Sequence, residues 1–292
     1  MAYEIALIYV ISIIFYASVL FLISSGLNLI YGVMRILNLA HGGLYAFGAY
    51  VGAWFIAIVV GSQNPFLLFL APLTGAAIAA LLGLFIEPSL LKPIYGRREE
   101  YQLLLTFGVL LMLEDGLRAI WGSAPLTARA PFVLMGNVNL LGYSYPLYNL
   151  VVVAVSLLTA LALWFYINKT RNGVIIRATS TDREMAAALG VDVKRVYLQT
   201  FVIASFMAGL AGALIVPTTT AVLGMSVEAL VLAFVVIVIG GLGSLKGAFF
   251  GSLLVGAARI VGINYFPQVE LVLLYAVASI ILITRSKGLF GR

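Results

Sequence analysis

A charged island interrupts the apolar chain, Lys169-Thr-Arg-Asn-Gly-Val-Ile-Ile-Arg-Ala-Thr-Ser-Thr-Asp-Arg-Glu-Met-Ala-Ala-Ala-Leu-Gly-Val-Asp-Val-Lys-Arg195. Within it, Thr181 and Glu184 have the Thr-x-x-Glu spacing of a capping box, which predicts the start of a helix. The residues from Met185 onward favour a helix, and Gly190 suits the left-handed conformation that ends one. A capped helix of about two turns between two membrane spans favours a mechanical contact with a partner. The simpler interpretation is a solvated basic loop.

The composition is that of a membrane protein. Of the 292 residues, 63% are hydrophobic and only 10% are charged, and the mean hydropathy is +1.13. Soluble domains carry about 25% charged residues, so this chain is a polytopic protein of the lipid bilayer. The absence of cysteine excludes disulfides and thiolate sites. The net charge of +6 is too small and too scattered to indicate a nucleic-acid partner.

Nine apolar runs approach the roughly 20 residues that a helix needs to cross a bilayer. Because the seventh to ninth runs are short, one pair could be a broken or re-entrant helix. The sequence therefore predicts an all-α polytopic membrane bundle with eight or nine transmembrane helices, forming a single domain over residues 1–292. The runs are Ile5–Tyr31, Gly43–Val60, Phe66–Ile86, Leu103–Trp121, Pro146–Ile167, Val196–Pro217, Ser226–Gly240, Ala248–Gly262 and Val269–Thr284.

The basic residues predict the orientation of the bundle. With nine spans and the 169–195 loop in the cytoplasm, only Arg118, Arg129 and Arg259 of the 17 basic residues fall at the outer side, which leaves 14 inside. This bias follows the positive-inside rule. It predicts an outer N-terminus, an inner C-terminus and one large outer loop, Gly122–Tyr145.

The glycine-rich stretch Gly240-Gly-Leu-Gly-Ser-Leu-Lys-Gly247 is not a phosphate-binding loop. A P-loop has its lysine after the second glycine and follows a strand, whereas here Lys246 precedes Gly247 and the flanks are apolar spans. The stretch predicts a break between two membrane helices, where small residues allow close packing. A role of Gly240, Gly241 and Gly243 in substrate passage is the alternative.

Polar residues also gather in and beside the first span, at Asn28, Arg35, Asn38 and His41. Polar groups at membrane depth are costly unless they are paired or face a wet cavity, so they predict unwound backbone near a pathway. Two roles remain open for these residues, packing between helices and lining of the pathway. As the single histidine of the chain, His41 cannot make a multi-histidine metal site. A helix-breaking, hydrogen-bonding role is favoured over proton transfer.

A third polar group, Glu114, Asp115 and Arg118, falls in the fourth span. Both carboxylates have helical spacing to the arginine, which predicts an internal ion cluster. A carboxylate pair for proton coupling is the alternative.

Several of these motifs resemble known importer subunits. Glu184-Met-Ala-Ala-Ala-Leu-Gly190 resembles the EAA loop of bacterial ABC-importer permeases, a Glu-Ala-Ala-x-x-x-Gly helix that docks on the ATPase subunit, with Met185 in place of the first alanine. The order of motifs along nearly the whole chain is similar to the LivH-type permeases of branched-chain amino acid transport, although Lys246 stands where that family often has proline. The matching stretches are 28–33, 38–50, 104–108, 113–122, 240–247 and 286–291.

The resemblance implies a permease subunit without enzymatic activity or cofactor, in the cytoplasmic (inner) membrane of a prokaryote. Its implied partners are a LivM-type permease, two cytoplasmic ABC ATPases that use ATP and Mg²⁺, and an extracytoplasmic binding protein. The binding protein would contact Gly122–Tyr145 and the loops near Ser62–Pro65 and Thr218–Met225. The implied ATPase-coupling residues are Thr181, Asp182, Arg183, Glu184, Ala186, Ala187 and Gly190.

Other functions remain open at this point. A urea or short-amide importer has the same motifs. A secondary transporter or channel would need no ATPase, and it predicts an intramembrane proton relay or ion site. The sequence leaves open which solute is carried, which residues contact it, and whether the two permeases of a pair are alike.

Overall fold

Helices dominate because apolar segments in lipid must pair their backbone N–H and C=O groups internally. The computed structural model describes residues 2–60, 65–140, 142–285 and 288–291, which contain twelve α-helices. Short 3-10 turns lie at Pro65–Leu70, Lys92–Ile94 and Val216–Thr218, and a π-helical turn at Glu87–Leu91. The helices are α1 (Ala2–Met34), α2 (His41–Val59), α3 (Ala71–Ile86), α4 (Glu99–Trp121), α5 (Ala130–Leu134), α6 (Leu147–Lys169), α7 (Arg171–Thr181), α8 (Arg183–Ala188), α9 (Val193–Ile215), α10 (Met225–Gly240), α11 (Leu245–Tyr265) and α12 (Glu270–Thr284).

Six segments of the described chain are long and apolar enough to cross a membrane, which confirms a multi-pass membrane bundle. The apolar parts of α10 and α12 are shorter, and α4 has a sufficient length of 23 residues but carries five charged side chains. The total of eight or nine spans and the orientation of the termini therefore stay predictions. The six segments are Leu7–Met34, His41–Val59, Leu67–Ile94, Leu147–Lys169, Val193–Thr218 and Leu245–Tyr265.

Helix α9 is the centre of the bundle and packs against α1, α2 and α3. Small residues recur at every fourth position on the facing sides of α3 and α9, so the two backbones approach closely. A Cβ atom built at Gly83 would overlap the Ser205 side chain, and one at Gly209 would overlap that of Ala79. The two rows are Ala71, Gly75, Ala79 and Gly83 on α3, and Ser205, Gly209 and Ala213 on α9.

Helices α2 and α10 begin beside each other inside the bundle. The Cα of Gly42 lies against the Ser226 carbonyl, and His41 contacts α1 near Ile23 and Gly26. The chain between α1 and α2 is unwound at residues 35–38, as its polar residues predict. Arg35, with φ of 57°, is the one non-glycine residue of the described chain in the left-handed region.

The all-α prediction misses one small element. In the 122–145 loop, β1 (Asn137–Leu140) pairs antiparallel with β2 (Tyr143–Pro146), with Val138 opposite Tyr145. A separate bridge joins Leu126 to Ala221, so the loop is tied to the chain that follows α9. Strand-forming valine and tyrosine residues next to a turn with Gly142 at φ 93° explain the hairpin.

Candidate functional site

The charged island folds into two short helices, α7 and α8, rather than one. Thr170 caps α7, accepting a hydrogen bond of 3.0 Å from the N–H of Gly173. The prediction of Thr181 as the α8 cap is wrong by one residue. Asp182 Oδ1 accepts from the N–H groups of Glu184 and Met185, both at 2.9 Å, while the Thr181 hydroxyl donates to a carbonyl of α7. An aspartate carboxylate makes the stronger, charge-assisted cap.

The C-terminus of α8 is closed as the sequence predicts. Gly190 has φ of 87° and donates its N–H to Ala187 at 2.9 Å, while Val191 donates to Ala186 at 3.1 Å. This pair of bonds is the Schellman arrangement. Asp192 then caps α9. Helix α8 is thus closed at both ends and joined to the central helix α9 by only four residues.

Helix α8 is exposed at every residue except Ala186. Ala186 is 3% exposed, whereas Met185 is 58% and Leu189 78% exposed. Since Met185 and Leu189 are four residues apart, they lie on the same side of the helix. Together with the exposed Arg183 and Glu184 they form a surface that we call the α8 face. Apolar side chains exposed within a polar surface are typical of a protein-binding site.

The glycine-rich stretch is a helix break, as predicted. Helix α10 ends at Gly240 and α11 begins at Leu245, and the loop has left-handed φ values of 108° at Gly241 and 79° at Gly243. Asn28 of α1 holds this loop. Its Oδ1 accepts from the Gly243 N–H at 2.5 Å, and its Nδ2 donates to the Ser244 carbonyl at 2.6 Å. A role of the glycines in substrate passage remains a prediction.

Replacing Asn28 with leucine should destabilise the protein by about 2 to 4 kcal/mol, because two buried backbone groups lose their partner. Asn28 is only 2% exposed, so water cannot replace the amide without rearrangement. The apparent Tm in mild detergent measures the effect. The matched control is Asn168→Leu, at an exposed asparagine on the last turn of α6, which should leave the Tm nearly unchanged. Equal Tm values for the two variants would contradict this role of Asn28.

The other polar residues of this region occupy separate places. His41 is fully buried, with Nε2 2.9 Å from the Ile23 carbonyl, and it does not share a partner with Asn28. Asn38 is also fully buried, and its side-chain amide has no hydrogen-bond partner among the described residues. Arg35 is exposed at the end of α1. Pathway lining by these residues remains a prediction.

The predicted ion cluster on α4 does not form. The Glu114 carboxylate accepts hydrogen bonds from the Gly224 N–H and the Ser226 hydroxyl, while Asp115 and Arg118 are exposed. None of the ion pairs found in the described chain joins these three residues. The reason is that α10 begins beside α4, and free N–H groups at a helix N-terminus attract a carboxylate.

An ion cluster that the sequence did not predict joins the last three helices. Arg259 of α11 pairs with Glu228 of α10 at 2.9 Å and with Glu270 of α12 at 3.0 Å. Its guanidinium lies 5.0 Å from the centre of the Tyr16 ring of α1. The available signal was one basic and two acidic residues near the ends of neighbouring spans.

Comparisons with known proteins agree with this architecture. Residues 9–284 match the family described as branched-chain amino acid transport system / permease component. The high-affinity branched-chain amino acid transport system permease protein LivH of Escherichia coli is 30% identical over 285 residues, covering 93% of this chain and 91% of the relative. The permease protein BraD of Pseudomonas aeruginosa, from a system of the same description, is 28% identical over 93% of this chain and 91% of its own length.

A solved structure has a similar fold. It is an inward-facing ABC transporter assigned to the metal-chelate type, and it superimposes with a TM-score of 0.50 over 96% of this chain and 85% of its own, at 17% identity. At that identity the likeness concerns the fold alone. The family match over nearly the whole length, together with the LivH relative, is the decisive finding: the chain belongs to the family of branched-chain amino acid transport system permease components.

Proposed function

We propose that the chain is the membrane-spanning subunit of an ABC importer that carries branched-chain amino acids across the cytoplasmic membrane. The observation that carries the proposal is the α8 face, an exposed surface on a helix closed at both ends. The LivH and BraD relatives are permeases of branched-chain amino acid transport systems, which supports the substrate class. Two separate ATPase subunits bind and hydrolyse ATP with Mg²⁺, and this chain takes part in no chemical step.

In this proposal, α8 is the ATPase-docking element. Met185 and Leu189 enter an apolar groove of the ATPase, and Arg183 and Glu184 form polar contacts around them. Two features support the transmission of force into the membrane. The caps at Asp182 and Gly190 keep α8 from unwinding under load, and α8 contacts both α7 and α9. Movement of the docked ATPases would therefore displace the central helix of the bundle.

The remaining partners belong on other surfaces. A related LivM-type permease completes the membrane part, and an extracytoplasmic binding protein delivers the amino acid. The 122–145 loop, with its hairpin and its bridge to Ala221, is the surface we propose for the binding protein, together with Thr218–Met225. Of the loop near Ser62–Pro65, residues 62–64 lie outside the described residues.

Two substitutions on the α8 face test the docking. Leu189→Asp and Glu184→Arg change exposed side chains, so the permease should still fold and insert. Recovery of the ATPase subunits with an affinity-tagged permease should fall by about tenfold or more, because an unpaired charge buried in an interface costs several kcal/mol. The matched control is Val133→Asp on α5, also exposed at 67% but at the opposite end of the bundle. Recovery equal to that of the control would reject α8 as the docking helix.

A further inference from the structure

A buried carboxylate lies where α3 leaves the bundle toward the α8 end. Glu87 is 2% exposed and begins a π-helical turn that ends at Leu91. A π-helical turn is rare and is frequently found at functional sites. The turn contacts α9 as well as α4. This carboxylate has no part in the contacts described above.

The partner of Glu87 is a tyrosine from the connection to α4. The Tyr95 hydroxyl donates a hydrogen bond to the Glu87 Oε1 atom. The Tyr95 ring also packs edge-on against Tyr197, with ring centres 5.1 Å apart and an angle of 86° between the planes. Tyr95 thus contacts α9 with its ring and the end of α3 with its hydroxyl.

Tyr197 lies close to the α8 helix along the chain. It is 5% exposed and sits in the first turns of α9, seven residues beyond Gly190. The connection between them is fixed by the Asp192 cap and by the 2.9 Å ion pair of Asp192 with Arg195. A displacement of α8 therefore reaches the Tyr197 ring through a short, constrained segment.

The connection from α3 to α4, which carries Tyr95, is also tied to α4. Gln102, in the first turn of α4, donates to the Arg97 carbonyl at 3.0 Å and to the Ile94 carbonyl at 3.4 Å. Further into the bundle, α3 and α9 are held together by the small-residue contact of Gly83 with Ser205. At the α8 end, the Tyr95–Tyr197 ring pair joins the 92–98 connection to α9.

We propose that Glu87, Tyr95 and Tyr197 transmit movement of the docked α8 helix to α3 and α4, and so couple ATP hydrolysis to opening of the bundle. In this proposal the three are positioning residues, which act through α8, α3 and α4. When α8 moves, Tyr197 displaces the Tyr95 ring, and the hydrogen bond to Glu87 carries the displacement to the end of α3. The inference rests on the proposed ABC-importer function.

The test uses the complete importer, purified with its ATPase subunits and reconstituted in liposomes with its binding protein. Tyr95→Phe keeps the ring and removes the hydroxyl. We expect normal recovery of ATPase subunits and continued ATP hydrolysis, with about tenfold fewer amino acid molecules transported per ATP, the effect of one lost hydrogen bond to a charged group. Tyr101→Phe, at a tyrosine 60% exposed on α4, is the matched control and should keep the wild-type ratio.

A double-mutant cycle makes the test specific for the pair. Glu87→Leu, which removes the acceptor, should lower the transport ratio in the same way, and the double variant Tyr95→Phe/Glu87→Leu should be no worse than either single variant, because both remove one interaction. Additive losses, or an unchanged ratio with only a lower Tm, would overturn the proposal and leave these residues a purely structural role. Failure of the wild-type permease to bind ATPase subunits at all would instead reject the proposed function.

Discussion

Gly209→Leu should prevent the chain from accumulating as a folded protein. A Cβ atom at this position would overlap the Ala79 side chain and come within 2.8 Å of the Gly75 carbonyl and 3.1 Å of the Ala76 Cα. Two of these three atoms are backbone, so α3 and α9 would have to separate. Overpacking typically costs about 1 to 3 kcal/mol, and a leucine between two backbones in contact should exceed that range.

Gly108→Leu is the matched control for this prediction. Gly108 also lies inside a helix, but a Cβ atom there would meet no atom within 4 Å. Both substitutions gain roughly 0.5 to 1 kcal/mol of helix propensity, so the difference between them reports packing alone. Size-exclusion chromatography in mild detergent, with the chain fused to a fluorescent protein, measures the folded fraction. A folded fraction for Gly209→Leu equal to that of the control would contradict the tight α3–α9 contact.

The sequence predicts much of the helical bundle because its signals are local. Apolar runs determine most of the long helices, and the left-handed glycines at Gly190 and Gly241 mark where helices end. The rows of small residues on α3 and α9, which were not predicted, also form a four-residue repeat in the sequence. These features depend on the chemistry of consecutive residues and on the backbone freedom of glycine.

The contacts that the sequence did not predict are made with residues that are distant in the chain. Glu114 binds the start of α10, 110 residues away at Gly224, although its spacing to Arg118 favours an ion pair on the same helix. The spacing of residues along one helix cannot show that hydrogen-bond donors at the start of another helix bind the carboxylate instead. Asn28 likewise bonds a loop more than 200 residues away.

In the α8 helix, some features follow from local sequence signals and one depends on a neighbouring helix. Its existence and its C-terminus follow from local signals, but its cap is Asp182, because α7 extends to Thr181 and uses that hydroxyl. The predicted loop contained one helix and the structure contains two. Thr170 and Asp182 cap two different helices. The sequence alone does not show that there are two, because that depends on where the first helix ends.

A permease without its ATPases should be unable to concentrate amino acids. Liposomes holding this chain with its permease partner, given the binding protein and a labelled branched-chain amino acid, should show no accumulation, even with an imposed proton or sodium gradient. Adding the ATPase subunits with ATP and Mg²⁺ on their side should start accumulation. The physical reason is that uphill transport needs a free-energy source coupled to a change in conformation. In our proposal the coupling element is the α8 face.

The same liposomes separate the competing functions. A secondary transporter would accumulate solute from the ion gradient alone, using an ionisable group inside the membrane. Of the two carboxylates of the proton-coupling alternative, Glu114 is bonded to the start of α10 and Asp115 is exposed. Two further acidic residues, Glu228 and Glu270, are paired with Arg259. Gradient-driven accumulation without ATPases would therefore reject the importer proposal. ATP-dependent uptake of urea or a short amide, but not of leucine, would keep the mechanism and change only the substrate.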